Sequence, residues 1–129
     1  MLILLDTHIL LWYQSENPQL TASASALILD SSNELLVSAA TWWEMAIKIS
    51  AGKLKVDLAT SLAAATRRGI KVLNLQPTHF LRVATLPYPD DKHRDPFDRL
   101  IIAQALVEQI PVLTADDKFD LYPDVQRLS

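Results

Sequence analysis

The sequence predicts an α/β domain with a mostly parallel sheet, and three observations indicate this fold class. Short apolar runs alternate along the 129 residues with longer stretches of helical pattern, as expected when crossover helices join parallel strands. The run Met1–Leu5 is continuously apolar, which is typical of a strand covered on both faces. Half of the residues are apolar, enough for one core in a chain of this length. We therefore expect a single domain over residues 1–129.

Strands are predicted at short apolar runs bounded by turn residues. They are Met1–Leu5, Leu35–Ser38, Ile70–Leu75, Pro111–Thr114 and an edge strand Val125–Leu128. Helices are predicted by the longer apolar patterns between these runs. They are Thr7–Tyr13, Thr21–Asp30, Thr41–Ala51, Asp57–Arg68, Pro77–Leu86 and Asp95–Gln109, with a turn or short helix at Asp116–Leu121.

Capping residues indicate where several of these helices begin and end. Thr21 can accept a hydrogen bond from a first-turn amide, and Pro18 separates its helix from the preceding one. Asp95-Pro96 is a strong helix start, because aspartate is a good N-cap and proline lacks only an N–H that has no partner there. Gly52 and Gly69 follow helices where a left-handed residue commonly ends them.

The composition excludes several classes of protein. A net charge of −3, with 21% charged residues, does not fit a uniformly basic coat protein for nucleic acid or a polyacidic disordered chain. The absence of cysteine rules out a disulfide scaffold, a zinc ribbon and thiol catalysis. The apolar opening run stops at Asp6, which is too early for a signal peptide or a membrane span. We expect a cytoplasmic protein with no membrane association.

Four acidic residues follow predicted strands or lie near the start of the next helix. They are Asp6, Glu44, Asp98 and Asp116. The carboxyl ends of parallel strands and the N-termini of the following helices lie at one edge of a sheet, where ligands bind. We expect the four side chains to meet in one cleft, with Glu44 in the first turn of its helix.

Such a cluster cannot stay fully ionised without compensation. Two like charges about 4 Å apart repel by roughly 4 kcal/mol at an effective dielectric constant of about 20. Either the pKa values rise or a divalent cation binds. Carboxylate ligands without cysteine favour Mg²⁺ or Mn²⁺ over zinc, and such ions serve phosphoryl chemistry.

Each acid also has a purely structural interpretation, and spacing alone does not decide between the two. Asp6 can cap the helix after it, and Asp98 can face the positive end of its own helix. Glu44 can pair with Lys48 four residues on, and Asp116 can form an Asx turn.

The segments around these acids resemble the PIN-domain family, and within it the VapC-type toxins of toxin–antitoxin pairs. They are Leu4–His8, Ser38–Lys48, His93–Ala105 and Leu113–Asp116, and the resemblance extends over essentially the whole chain. It implies a three-layer sandwich, with the mostly parallel sheet flanked by helices.

The resemblance also implies a function and partners. The expected activity is hydrolysis of RNA by a Mg²⁺- or Mn²⁺-dependent ribonuclease. Asp6, Asp98 and Asp116 are then metal ligands, while Glu44 completes the metal-binding and catalytic cluster and positions the attacking water. The expected partners are RNA, a small antitoxin whose C-terminal segment docks near the acids, and a second copy of the chain.

Neighbouring residues leave two points open. Asp117 directly follows Asp116, so either could belong to the cluster, although the pattern Thr114-Ala115-Asp116 favours the first. Asp95 lies near Asp98, but its place before a proline favours an N-cap role. Thr7 and Thr114 are expected to orient the carboxylates through their hydroxyl groups.

Basic residues are concentrated in one part of the chain. Residues 45–75 hold one acid, Asp57, and six bases: Lys48, Lys53, Lys55, Arg67, Arg68 and Lys71. This segment could contact the phosphates that flank a cut site, or it could be an ordinary solvated surface. Lys92, His93, Arg94 and Arg99 could add phosphate contacts near Asp98 or balance its charge.

The histidines and tryptophans are expected to be structural. His8, His79 and His93 are single, and His8 is expected on a helix surface although it lies near Asp6. Trp43 lies in an apolar helical stripe, which favours packing in the core or an interface over base stacking, an option also open to Trp12 and Trp42.

Two other functions remain possible at this point. A receiver-like module, or another Mg²⁺-binding regulatory domain without turnover, would also have an acidic pocket. A receiver would need an acceptor aspartate after a central strand and a lysine after a late one. Lys118 follows Asp116 closely, but the Glu44 and Asp98 segments would have no role.

Overall fold

The computed structural model describes residues 1–89 and 95–129, which contain five strands and six α-helices. The strands are β1 (Leu2–Leu5), β2 (Glu34–Ser38), β3 (Lys71–Leu73), β4 (Val112–Leu113) and β5 (Arg127–Leu128). The helices are α1 (Thr7–Gln14), α2 (Ala22–Leu29), α3 (Ala39–Ser50), α4 (Leu58–Arg68), α5 (Pro77–Thr85) and α6 (Pro96–Glu108). A short 3-10 helix spans Asp117–Leu121.

The strands form one sheet in the order β3-β2-β1-β4-β5, and each described pairing is parallel. The predicted α/β class with a mostly parallel sheet is therefore confirmed. The first strand lies at the centre, with Leu5 opposite Val37 on one side and opposite Leu113 on the other. This placement explains why Met1–Leu5 lacks the polar alternation of a half-exposed strand.

Alternate residues of β1, β2 and β4 enter two separate cores. Ile3 and Leu5 pack with side chains from α1 to α4, including Ile9 and Met45. Leu4 packs on the other face with residues of α6, such as Ile101, and with the 3-10 helix. Helices therefore cover both faces of the sheet, which gives the expected three-layer arrangement.

The predicted caps are present at several helix ends. The Thr21 hydroxyl accepts a hydrogen bond from Ala24 N at 3.1 Å, and Asp95 Oδ1 accepts from the first-turn amides of α6. Gly52 and Gly69 have φ values of +72° and +83°, the left-handed conformation that glycine adopts at little cost. No helix in the described ranges is long and apolar enough to span a membrane.

One predicted helix start is wrong. Helix α3 begins at Ala39 rather than at Thr41, because β2 runs into it without a loop. Ser38, the last residue of the strand, is also the N-cap, and its hydroxyl accepts a hydrogen bond from Ala40 N at 2.9 Å. Glu44 consequently lies in the second turn of the helix rather than in the first.

Candidate active site

Asp6 leaves the central strand with both carboxylate oxygens engaged. Its backbone amide continues the sheet by donating to Leu113 O, and its side chain is 4% exposed. Oδ1 accepts from Thr7 N at 2.8 Å, which caps α1, and Oδ2 accepts from the Thr114 hydroxyl at 2.8 Å. Burial raises the pKa of Asp6, although these hydrogen bonds and the nearby His8 act to lower it.

Glu44 is connected to the same strand end through Thr7. The Thr7 hydroxyl donates to Glu44 Oε1 at 3.0 Å and lies 3.0 Å from the Thr41 hydroxyl. Glu44 Oε2 lies 3.1 Å from Lys48 Nζ, so the predicted ion pair along α3 is present. The carboxylate is buried while the lysine is half-exposed, which leaves the ammonium group accessible to an anion in solution.

Asp98 is the third residue of α6, and the charges of the other acids affect its pKa. Burial is the main cause that raises its pKa to about 8, followed by the charges of Asp6, Asp95, Asp116 and Glu44 in that order. The charges of Asp6, Asp116 and Glu44 all act on the pKa of Asp98, as the expected grouping would produce, while the meeting of the four side chains in one cleft stays a prediction.

Asp116 follows β4 and is oriented by its own loop. Its Oδ1 accepts from Lys118 N at 3.0 Å, which is the predicted Asx turn, and its amide donates to the Thr114 hydroxyl at 3.0 Å. The charge of Asp116 contributes to the raised pKa of both Asp6 and Asp98. These two contributions favour Asp116 over Asp117 as the member of the cluster.

Asp95 plays the predicted structural part. Its Oδ1 accepts from Phe97 N at 2.9 Å and from Asp98 N at 3.1 Å, so it holds the first turn of α6. Its charge also raises the pKa of Asp98. Asp95 is thus an N-cap whose charge adds to the negative potential at Asp98. Its side-chain hydrogen bonds within the described residues go to the first turn of α6.

The donor chemistry of the cluster fits a hard divalent cation. All four side chains offer carboxylate oxygens, and their mutual repulsion is the effect that a bound cation would relieve. Across residues 1–89 and 95–129, no three Asp, Glu, His or Cys side chains are already grouped as a metal-holding set.

Arg99 does not supply the phosphate contact that its charge suggested. It is 4% exposed, and its guanidinium group donates to Leu86 O, to Pro87 O and to the Tyr122 hydroxyl. It also stacks over the ring of Tyr88, with Cζ 3.7 Å from the centroid. The position therefore has a structural role. Lys92, His93 and Arg94 lie outside the described residues.

The basic segment divides into paired and exposed residues. Lys48 is paired with Glu44, and Arg68 donates to the Tyr13 hydroxyl and to Ile28 O, so both also serve the fold. The remaining four bases are exposed. They are Lys53, Lys55, Arg67 and Lys71.

The other aromatic and histidine predictions have mixed outcomes. His8 lies exposed on α1 beside Trp12, as expected. His79 is structural but not unpaired, because it is fully buried, accepts from Gln76 N and lies 3.4 Å from Glu108 Oε2.

Trp43 is not in the core: it is 57% exposed, and its ring contacts Phe97 edge to face. Sequence reasoning missed Phe97, although both rings directly precede a cluster acid.

Three comparisons with known proteins bear on this arrangement. A family model described as "PIN domain" matches residues 3–125. A relative named Ribonuclease VapC22, from Mycobacterium tuberculosis, is 25% identical over 115 residues, which cover 88% of this chain and 86% of the relative.

Solved structures share the fold at lower identity. The crystal structure of VapBC2 from Rickettsia felis, bound to a DNA fragment from their promoter, has a chain that superposes with a TM-score of 0.71 at 18% identity, covering 99% of this chain and 98% of that one. The 2.2 Å structure of VapBC-1 from nontypeable Haemophilus influenzae gives a TM-score of 0.69 at 21% identity, covering 100% and 98%.

Proposed function

The chain belongs to the PIN domain family, and from this premise we propose that it is a metal-dependent endoribonuclease that acts as the toxin of a toxin–antitoxin pair. The similarity to Ribonuclease VapC22 and to chains of VapBC complexes supports this proposal. The observation that carries it is the position of two of the acids in this fold: Asp6 and Asp116 follow the paired strands β1 and β4, and the Thr114 hydroxyl hydrogen-bonds to both residues. The charges of Asp6, Asp116 and Glu44, which help to raise the pKa of Asp98, support it. A purely structural role for each acid would not require them to share one field.

In this proposal, Asp6, Asp98 and Asp116 hold the cation, directly or through water, and Glu44 completes the set and positions the attacking water. The oxygen donors favour Mg²⁺ or Mn²⁺. When bound, such an ion lowers the pKa of a water molecule and offsets negative charge on the phosphate and the leaving oxygen.

The remaining groups orient the carboxylates and the substrate. The Thr114 hydroxyl fixes one oxygen of Asp6, and the Thr7 hydroxyl fixes one oxygen of Glu44. This leaves fewer side-chain conformations to restrict when an ion is bound. The ammonium group of Lys48, held by Glu44 and half-exposed, is placed to attract an RNA phosphate to this end of the sheet.

RNA is the proposed substrate. Its flanking phosphates would contact the exposed basic side chains of the protein, which are Lys53, Lys55, Arg67 and Lys71. The net charge of −3 makes these local cations more important, because the protein as a whole repels a polyanion.

We further propose the partners and the compartment that this activity requires. A single domain over residues 1–129 would bind a small antitoxin near the acids, so that cleavage is blocked until the antitoxin is removed. The chain would also form a homodimer. The cytoplasm is the proposed location, since cellular RNA is the substrate.

A receiver-like module is the second candidate function, because β1 is the central strand and Asp6 therefore stands where an acceptor aspartate could be. The hydrogen bonds to Asp6 use one lone pair on each carboxylate oxygen and leave the other, so they are compatible with either candidate. The family match spans residues 3–125, including the Glu44 and Asp98 segments, and it favours the nuclease over a receiver.

Cleavage of total cellular RNA by the purified protein tests the function. We expect discrete fragments with Mg²⁺ or Mn²⁺, none with EDTA and none with Asp98→Asn. Asp95→Asn is the matched control, because it removes a charge from the same helix turn while asparagine keeps the N-cap. Folded protein that binds the metal ions but leaves all RNA intact would contradict the proposal.

A further inference from the structure

One buried polar side chain in the middle of α6 has no part in the proposed hydrolysis. Gln104 is fully buried, and it interrupts an apolar stretch of the helix that runs from Leu100 to Val107. A buried amide costs free energy unless its donor and acceptor atoms are hydrogen-bonded, and an apolar residue would avoid that cost. The presence of Gln104 at this position therefore indicates a contact that an apolar side chain cannot make.

The amide of Gln104 connects α6 to the carboxyl ends of two strands. Its Nε2 lies 3.4 Å from both Leu73 O and Asn74 O, where β3 ends. Its Oε1 accepts from the Ser38 hydroxyl at 2.5 Å, and Ser38 is both the end of β2 and the N-cap of α3. Because carbonyl oxygens only accept hydrogen bonds, the amide nitrogen must face β3, and the amide oxygen is left for Ser38.

Ser38 is itself held in place by the strands and by its own helix. It lies opposite Leu73 in the parallel pairing of β2 with β3. Its hydroxyl oxygen accepts from Ala40 N at 2.9 Å, so the hydroxyl hydrogen remains available for Gln104. Ser38 is fully buried, as Gln104 is, and water does not compete for the hydrogen bond between them.

A second contact joins α3 and α6 at another point. The rings of Trp43 on α3 and Phe97 on α6 meet edge to face, with their centroids 5.2 Å apart. Trp43 comes five residues after Ser38, whereas Phe97 comes seven residues before Gln104. The two contacts thus occur in reverse order along the two helices, and together they fix the position of α6 relative to α3.

The same two helices carry two acids of the proposed site. Glu44 on α3 and Asp98 on α6 directly follow the two contacting rings. Glu44 comes six residues after Ser38, and Asp98 comes six residues before Gln104. The charge of Glu44 contributes to the raised pKa of Asp98, as expected for carboxylates on helices that are held together. A displacement of α6 along α3 would therefore change the separation of these two carboxylates.

We propose that Gln104 is a positioning residue for the acid cluster: its hydrogen bond to Ser38 sets the register of α6 against α3, and with it the separation of Asp98 from Glu44. This inference rests on the proposed ribonuclease function. Carboxylates that share a Mg²⁺ or Mn²⁺ ion, directly or through water, must keep a narrow range of separations, because Mg²⁺ requires near-ideal octahedral geometry. A single buried polar residue sets the register of helices in coiled coils in a comparable way.

Gln104→Met tests this assignment, because methionine keeps the length and unbranched shape of the side chain but cannot form the hydrogen bonds. Mn²⁺ binding to the protein without RNA, followed by electron paramagnetic resonance, should weaken by about 10- to 100-fold, the usual effect of losing a residue that orients metal ligands. The kcat for RNA cleavage should also fall. The KM for RNA should stay close to the wild-type value, because a fully buried residue cannot contact the substrate.

A truncation of Ile102 controls for the loss of stability. Ile102 is a fully buried residue of the same helix, and at two residues from Gln104 it lies on another side of α6. Either Ile102→Val or Ile102→Ala is used, whichever matches the melting temperature of Gln104→Met. The matched control should keep the Mn²⁺ affinity and the kcat of the wild-type protein.

Ser38→Ala removes the same hydrogen bond from the side of α3, and it decides the test if Gln104→Met does not fold. Ser38→Ala should weaken Mn²⁺ binding, and Ser38→Thr, which keeps a capping hydroxyl, should restore most of the affinity. Because the two side chains act through one hydrogen bond, Ser38→Ala combined with Gln104→Met should weaken binding by less than the product of the two single effects.

The outcomes separate this inference from the function on which it rests. A Gln104→Met protein that equals its matched control in Mn²⁺ affinity and kcat would overturn the inference and leave the nuclease intact. Independent effects in the combined variant would also overturn it, because Gln104 would then not act through Ser38. Weaker Mn²⁺ binding by Gln104→Met, when the wild-type protein never cuts RNA, would support the positioning of the acids and reject the nuclease. A wild-type protein that binds no Mn²⁺ would reject both.

Discussion

The Thr114 hydroxyl donates a hydrogen bond to Asp6 Oδ2 at 2.8 Å and so connects residues 108 positions apart in the sequence. The same hydroxyl accepts from Asp116 N at 3.0 Å. One buried group therefore sets the orientation of an acid on the central strand and of the loop that carries another. This arrangement makes Thr114 a structural element of the acid cluster, although it carries no charge itself.

Replacement of Thr114 by valine should destabilise the protein by about 1–3 kcal/mol. Valine has the same shape but leaves Asp6 Oδ2 and the Asp116 amide without their partner in a buried site. Urea denaturation measures the change in the free energy of unfolding. Thr114→Ser keeps the hydroxyl and should be milder. A Thr114→Val protein as stable as the wild type, beside a destabilised Thr114→Ser protein, would mean that packing of the methyl group, and not the hydrogen bond, stabilises this site.

Mg²⁺ should raise the melting temperature of the wild-type protein, because a cation offsets the repulsion that acts on Asp98. Asp98→Asn should reduce this response strongly, while Asp95→Asn should keep it since the cap is preserved. Differential scanning calorimetry over a Mg²⁺ titration provides the measurement. An undiminished response in Asp98→Asn would exclude Asp98 as a metal-binding residue.

The metal-free protein should become less stable as pH rises from about 4 to about 8. The pKa of Asp98 is about 8 in the folded state, against roughly 3.9 when unfolded, so the folded protein binds more protons in this window. The raised pKa of Asp6 acts in the same direction. Asp30 and Asp57 have lowered pKa values, and their contribution disappears only in more acidic solution.

Chemical denaturation in EDTA at a series of pH values checks this dependence. Asp98→Asn should flatten the decline between neutral pH and pH 8, because asparagine does not titrate. A wild-type stability that increases over the same range would contradict the burial and repulsion assigned to the cluster.

Substitution of Arg99 by lysine should destabilise the fold by about 2 kcal/mol or more. The planar guanidinium group donates to two backbone carbonyls and a tyrosine hydroxyl at once, and a lysine ammonium cannot reproduce that fork in a buried position. Thermal melting measures the destabilisation. A stable Arg99→Lys protein with weakened RNA affinity would restore the phosphate-binding role that the structure contradicts.

The exposed lysine and arginine side chains should contribute to RNA binding through their charge. Lys53→Ala combined with Lys55→Ala is expected to reduce the slope of log affinity against log salt by about 1.4, or roughly 0.7 for each phosphate of single-stranded RNA that is no longer neutralised. Affinity measured over a range of salt concentrations gives this slope. Glu34→Ala is a charge-changing control on another segment. An unchanged slope in the double variant would mean that this surface does not contact the substrate.

Helix caps and apolar runs predicted much of the fold, because these features depend on residues that are adjacent in the sequence. The start of α6 follows from Asp95-Pro96, where one side chain and one ring define the first turn. The apolar run before Asp6 predicted a fully buried strand, and that strand is at the centre of the sheet. Ser38 shows the limit of this approach, since one residue ends a strand and caps a helix, and residue preferences for the two roles overlap.

The partners of long polar side chains could not be predicted in the same way. Arg99 is defined by oxygens of Leu86, Pro87 and Tyr122, which are 12 to 23 residues away in the sequence. His79 pairs with Glu108 on the neighbouring helix. Charge is visible in a sequence, but whether it is directed to solvent or into the protein depends on tertiary packing.

The central position of β1 has a consequence for protein synthesis. Asp6 leaves the ribosome first, and its partner Thr114 is added 108 residues later, after about 5–20 seconds at typical elongation rates. Until then the sheet lacks β4, and the acids from the two ends of the chain cannot meet. In the proposed function, a chain that ends before β4 lacks Asp116, and we expect such a nascent or prematurely terminated chain to leave RNA intact.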